Sequence, residues 1–168
     1  MVELIRFQCR KCGQWHEGLP DMAFDSPIQY ERLTPAERKR ARKSDDICVI
    51  GEDFFIRATL PLPIIDSDDE FNVGVWVSLS KSNFARYVEL FEATDVVREG
   101  PYFGWLCNRL PWYPDTLLLK TNVHVCPYPQ RPWIELEPTD HPLAIHHREG
   151  ITRDTLAEIF AANEHLAP

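Results

Sequence analysis

No apolar run in this chain approaches the roughly 18 residues that a membrane-spanning helix needs. Met1 to Cys9 contain an acidic residue and no long apolar stretch, so a signal peptide is not expected there. Positive charge is in deficit: 18 Lys and Arg stand against 26 Asp and Glu, for a net charge of −8 and a pI near 5.2. That balance argues against non-specific binding to nucleic acid or to an anionic membrane, both of which need a cationic surface. It suits a basic protein partner. A phosphate loop, an H-E-x-x-H helix and a nucleophile elbow are all missing, and with them the usual signatures of nucleotide, metalloprotease and α/β-hydrolase chemistry. Asp66, Asp68, Asp69 and Glu70 lack the twelve-residue calcium-loop pattern and its central glycine, so they read as a solvated acidic turn. The five cysteines are an odd number. Free thiols plus a metal site, in a reducing cytoplasm, is the expectation that follows.

What is present points to one domain over residues 1–168, with a region up to about residue 50 packed on a sheet region from 51 onward. Proline is plentiful, 14 of 168 residues, and falls between apolar runs, which implies defined loops. A first strand is expected over 3–8. Thr34-Pro35-Ala36-Glu37 combines a capping box with proline at the first helical position, and predicts a helix to about Lys43. Its Arg38, Lys39, Arg40, Arg42 and Lys43 read as a solvated basic face, with an acidic or nucleic-acid partner as the alternative. Residues 47–50 and 54–60 read as a hairpin around Gly51, with Pro61 and Pro63 ending the second strand. Phe71–Ser80 alternates most clearly, with Val73, Val75, Val77 and Leu79 on one face. A helix over 83–93, capped by Ser82, carries Phe84, Tyr87, Val88 and Phe91 as a core stripe. Strands follow over 102–110, with Gly104 at a close approach, over 116–126 and over 133–136. Cys107 and Cys126 fall in these strands as small hydrophobes. A last helix is expected from about Arg153 to Glu164, capped by Thr152. Consecutive strands with inserted helices predict an α+β fold: a mainly antiparallel sheet, helices packed on one side.

Three groups of residues carry possible chemistry. Cys9 and Cys12, two residues apart and followed by Gly13, form a C-x-x-C knuckle of the kind that grips zinc. His16 is close enough to add an imidazole, and Cys48 is the nearest further thiol. Together they would make a closed, structural Cys₃His zinc site. A redox disulfide and a pair of reduced thiols in a turn are the other two readings. The second group lies on the less apolar face of the sheet, where alternation places Arg57, Trp76, Ser78 and Lys120, with Phe55, Thr59, Asn122 and His124. Trp and Arg favour protein interfaces, so these residues are a candidate binding face; the other reading is an ordinary wet sheet face. The third is Asp140-His141, near Glu137 and followed by His146 and His147. A carboxylate beside a histidine can orient a general base. Asp-His-Pro is also a common loop at the start of a helix.

Several segments taken together carry a resemblance. They are F-x-C-x-x-C-G-x-x-H from Phe7 to His16, D-x-C from Asp46 to Cys48, and F-F-I-R from Phe54 to Arg57. G-V-W-V-S-L-S from Gly74 to Ser80, L-P-x-Y-P-D-T-L-x-L-K from Leu110 to Lys120, and T-D-H-P-L-A from Thr139 to Ala144 complete them. In order and spacing the chain resembles the bacterial family known as domain of unknown function 2199. The resemblance implies a small bacterial cytoplasmic protein and puts Cys9, Cys12, His16 and Cys48 in one motif set. It assigns no activity, and it draws attention to Arg57, Trp76 and His141. The expectation is therefore a zinc-stabilised module that binds a protein partner, a basic one being compatible with the charge, in a regulatory or immunity-type role. A hydrolase-like enzyme using Asp140 and His141 is the alternative, and a nucleic-acid-binding zinc knuckle the second alternative.

Overall fold

In a computed structural model that describes residues 4–163, the strands are β1 (Ile5–Gln8), β2 (Trp15–Gly18), β3 (Met22–Ala23), β4 (Arg42–Lys43), β5 (Ile47–Ile50), β6 (Asp53–Pro63), β7 (Glu70–Leu79), β8 (Tyr102–Leu106), β9 (Lys120–His124) and β10 (Trp133–Leu136). The helices are α1 (Ile28–Glu31), α2 (Pro35–Arg38), α3 (Lys81–Glu89), α4 (Pro142–Glu149) and α5 (Arg153–Asn163). β1 and β2 form a separate antiparallel pair; the other strands form one eight-stranded sheet.

Among the described residues the fold is mainly sheet with five helices, as expected of an α+β chain. The sheet closes on itself, a feature that the expectation of a mainly antiparallel sheet with helices packed on one side did not contain. β6 to β10 pair in chain order, each step antiparallel, and β10 then meets β6 at Trp133 and Thr59. Five alternating strands leave the first and last pointing the same way, so the closing pair has to be parallel, as it is. The result is a five-stranded barrel, with β3, β4 and β5 added beside it. Within the five-stranded ring no strand is left with a free edge, and β3 and β4 are the outer strands of the sheet. Gly104 does sit at a close approach: a Cβ there would come within 2.5 Å of the Ser78 carbonyl oxygen.

Alternation decides which side chains make the core. Ile56, Ala58, Leu60 and Leu62 of β6 join Phe71, Val73, Val75 and Val77 of β7, Val123 of β9 and Ile134 of β10 in one buried cluster. Phe84 and Tyr87 of α3, Leu143 of α4, and Leu156 and Phe160 of α5 pack into the same cluster. Pro61 lies within β6 and does not end it, while Pro63 is its last residue, as expected. The amides of Arg57 and Thr59 point away from β7, to Asp46 and Pro132. Residues 61 and 63 share that parity, so proline there costs no bond of the β6–β7 ladder. Their carbonyls accept instead from His147 Nδ1 (2.8 Å) and Ile151 N (2.8 Å).

Three other boundaries move for visible reasons. The capping box of Thr34 and Glu37 forms, but the helix ends at Arg38, because Arg42 and Lys43 pair with Val49 and Cys48 as β4. The strand expected from 116 begins at Lys120, since Leu118 takes a left-handed φ of 63° that no strand tolerates. α3 starts two residues early, capped by Ser80 rather than Ser82. The last helix does start at Arg153, while its expected final residue, Glu164, lies outside the described residues. Among the described residues no helix is long and apolar enough to cross a membrane.

Candidate metal centre

A four-residue strand, a tight turn and a second four-residue strand make the N-terminal hairpin. Phe7 stands opposite His16 in its register. The turn is closed by Cys9 N donating to Gln14 O (2.9 Å) and Gly13 N donating to Cys9 O (2.9 Å), with Gly13 at φ 70°. That left-handed position is why glycine follows the second cysteine. The Lys11 amide donates to Cys9 Sγ at 3.3 Å.

The turn brings three donors together. Cys9 Sγ, Cys12 Sγ and a ring nitrogen of His16 all lie within 4.8 Å of one another, and the Cys12 Sγ to His16 Nε2 distance is 3.3 Å. Cys9 is buried, His16 half-buried and Cys12 exposed, so the cluster opens to the surface on one side. The imidazole stacks on Phe7 (centroids 5.6 Å apart, 21° between planes), and Phe7 packs against Phe160 of α5. Arg10 N donates to Ala161 O at 2.8 Å, which ties the turn to the end of α5. These three residues can hold a metal ion.

Cys48 does not join them, which corrects the four-residue set. It lies on β5, wholly buried in a second apolar cluster with Phe55, Trp76 and Cys107. Burial pushes its thiol up to about 11, and that of Cys107 likewise to about 11. The cause is pairing: Cys48 stands opposite Phe55 of β6, on the outer wall of the barrel. Among the described residues no fourth cysteine, histidine or carboxylate completes the group.

The expected binding face is also rearranged. Trp76 is fully buried, not exposed. Residues 22–50 fold over that part of the barrel wall, with Phe24, Tyr30 and Ile50 packing on its cluster. The indole Nε1 donates to Phe24 O (2.9 Å), and the backbone N of Trp76 donates to Asn108 Oδ1 (2.7 Å). Arg57 is half-buried beside it in register, its Nη1 3.5 Å from Asp45 O. Ser78 and Lys120 do share a row, on either side of Trp105 of β8. Trp105 was legible as an aromatic on a short strand, but only the register shows it between them. It is 38% exposed, and the neighbouring Phe103 is 48% exposed.

Asp140 and His141 form the start of α4. His141 Nδ1 accepts from the Leu143 amide (3.1 Å) as a helix cap, and Nε2 faces the carbonyls of Pro114 (3.2 Å) and Asp115 (3.1 Å). Both ring nitrogens are engaged by the backbone. His147 is held by Pro61 O, and His146 Nδ1 meets the Tyr113 hydroxyl at 2.7 Å. Burial holds the His146 pKa below its usual value. The histidines of this region fasten α4 to the barrel, and Asp140 lies exposed beside them.

Comparison with known proteins agrees with the resemblance seen in the motifs. No curated protein and no solved structure matches the chain. One family profile matches residues 8–151, a span that takes in the Cys-Cys-His cluster, the whole barrel and α4. The chain belongs to that family, described as "Uncharacterized protein conserved in bacteria (DUF2199)".

Proposed function

We propose that Cys9, Cys12 and His16 hold a zinc ion that clamps the turn of the N-terminal hairpin, and that the clamped domain works by binding a protein partner rather than by catalysis. The observation that carries the metal reading is the convergence of two sulfurs and one imidazole within the eight residues from Cys9 to His16. Thiolate and imidazole donors suit zinc among the common divalent ions. A two-stranded hairpin is marginal by itself, and here it is fastened by Ile5 and Phe7 in the core, by the Arg10–Ala161 bond and, on this reading, by the metal. Binding is favoured over the hydrolase reading because His141 spends both ring nitrogens on backbone groups. The nucleic-acid reading loses its basic helix, since Arg38 and Lys43 lie over the Tyr30 ring and Arg42 and Lys43 form a strand.

Cobalt substitution tests the donor set. A Co(II)-loaded protein is expected to show a sulfur-to-metal charge-transfer band with the intensity of two thiolates, unchanged by Cys48→Ser and cut to half or less in Cys9→Ser. A band that falls by a third in Cys48→Ser would restore the four-residue site.

A further inference from the structure

On the outer wall of the barrel, a cleft of about 470 Å³ opens between the start of β6, the end of β7 and the exposed side of β8. Glu52, Asp53, Gln29, Ser78, Phe103 and Trp105 are among its lining residues, and no Lys, Arg or His is. Glu52 has Lys81 3.5 Å away, both highly exposed, while Asp53 has no ion pair among the described residues. Phe103 and Trp105 meet edge to face, centroids 5.0 Å apart, and keep much of their ring surface in solvent. Gln29 contributes a separate observation. Its Nε2 donates to Cys107 Sγ (3.5 Å), whose thiol donates to Trp105 O (3.2 Å), and this fixes the amide orientation. The Gln29 Oε1 is left buried with no hydrogen-bond partner. A buried acceptor without a donor is uncommon and calls for one.

We propose that this cleft is the partner-recognition site of the protein and that it receives an arginine side chain of a basic protein partner. The wall offers two carboxylates, Glu52 beside Lys81 and Asp53 without an ion pair among the described residues, next to two aromatic rings. A guanidinium matches each of these: five N–H donors in a planar fork, a full positive charge, and a flat face that stacks on aromatic rings. Lysine would meet the charge but not the stacking or the fork. A protein of net charge −8 draws basic partners toward it over distances of about the Debye length, and the cleft supplies the local complement. The inference rests on the reading of the chain as a binding module and is independent of the metal.

The test is an NMR titration of zinc-loaded protein with acetyl-arginine amide, with acetyl-citrulline amide as the neutral isostere and an arginine–glycine peptide as the longer probe. Expected are saturable shifts of the Trp105 indole and Gln29 side-chain amide signals with the arginine compound and not with citrulline. Affinity should fall about tenfold or more in Asp53→Asn, in line with the strength of hydrogen bonds to charged groups. Absence of those shifts, or equal shifts with citrulline, would overturn the proposal. Peptide binding that persists undiminished in both Asp53→Asn and Trp105→Ala would overturn this cleft as the site while leaving the binding-module reading standing. Metal content read on the same samples keeps a failure of the zinc reading separate.

Discussion

The Nε2 atom of His16 stands 3.3 Å from Sγ of Cys12, across a turn closed by Gly13. Zinc bonds of about 2.3 Å to sulfur and about 2.0 Å to nitrogen, at a tetrahedral angle, separate the two ligand atoms by roughly 3.5 Å. The turn thus holds the imidazole and the thiol within a few tenths of an ångström of that spacing, and the fold supplies it through backbone bonds of the turn itself.

Removal of the metal should loosen the molecule measurably. At free zinc about a thousand times Kd, linkage contributes about 4 kcal/mol. For a domain of this size that is a fall in Tm on the order of 10 °C on chelation. Differential scanning calorimetry with and without a chelator reads it. An unchanged Tm would mean that the hairpin is held by Phe7, Phe160 and the Arg10–Ala161 bond alone.

Thiol reactivity should sort the cysteines. In metal-free protein, exposed Cys12 is expected to alkylate first, and zinc to protect it. Cys48 and Cys107 should remain unmodified in the folded state at neutral pH with or without metal, because burial closes access and raises both thiols to about 11. Mass spectrometry of alkylated peptides checks the order.

Trp76→Ala should destabilise the fold by about 3–5 kcal/mol, the cost of emptying a large buried aromatic site. Urea unfolding measures it. The effect should appear with zinc content unchanged, since Trp76 and the metal turn belong to different clusters. His141→Ala should cost only about 1 kcal/mol, as the loss of a helix cap.

An acid-range contribution is expected from Glu99. Its carboxylate accepts from Arg86 and from the Tyr102 hydroxyl (2.6 Å), and Arg86 holds its pKa below the ordinary carboxylate value. A depressed pKa gives stability that is present above the unfolded-state value, about 4.3, and is lost as pH falls through the folded one. Glu99→Gln should therefore flatten the fall in Tm between about pH 5 and pH 3 and change little at lower pH. An identical slope in the variant would show that the ion pair contributes nothing.

Much of this was legible in the chain because local rules decided it. The alternation of Phe71–Ser80, the capping box at Thr34, the close approach at Gly104 and the Cys9–His16 turn each depend on a few neighbouring residues. What pairing over long range decides was not legible. Barrel closure rests on the parallel pairing of β10 with β6 around Trp133 and Thr59, strands far apart in sequence. Trp76 has the right parity for an outer face, yet residues 22–50 fold over it, and no periodicity announces a covering segment. Cys48 was drawn into the metal set because it was the next thiol along, and β5 carries it to the barrel wall instead. Asp140 beside His141 is compatible with a general base or with a helix-entry loop, and only the fold shows three backbone contacts taking up the ring nitrogens.

Metal content of the untagged protein, measured by inductively coupled plasma mass spectrometry, tests the central claim most directly. One zinc per chain is expected, retained in Cys48→Ser and lost in Cys12→Ser. No bound metal, with Cys12 alkylated equally fast before and after chelation, would contradict it.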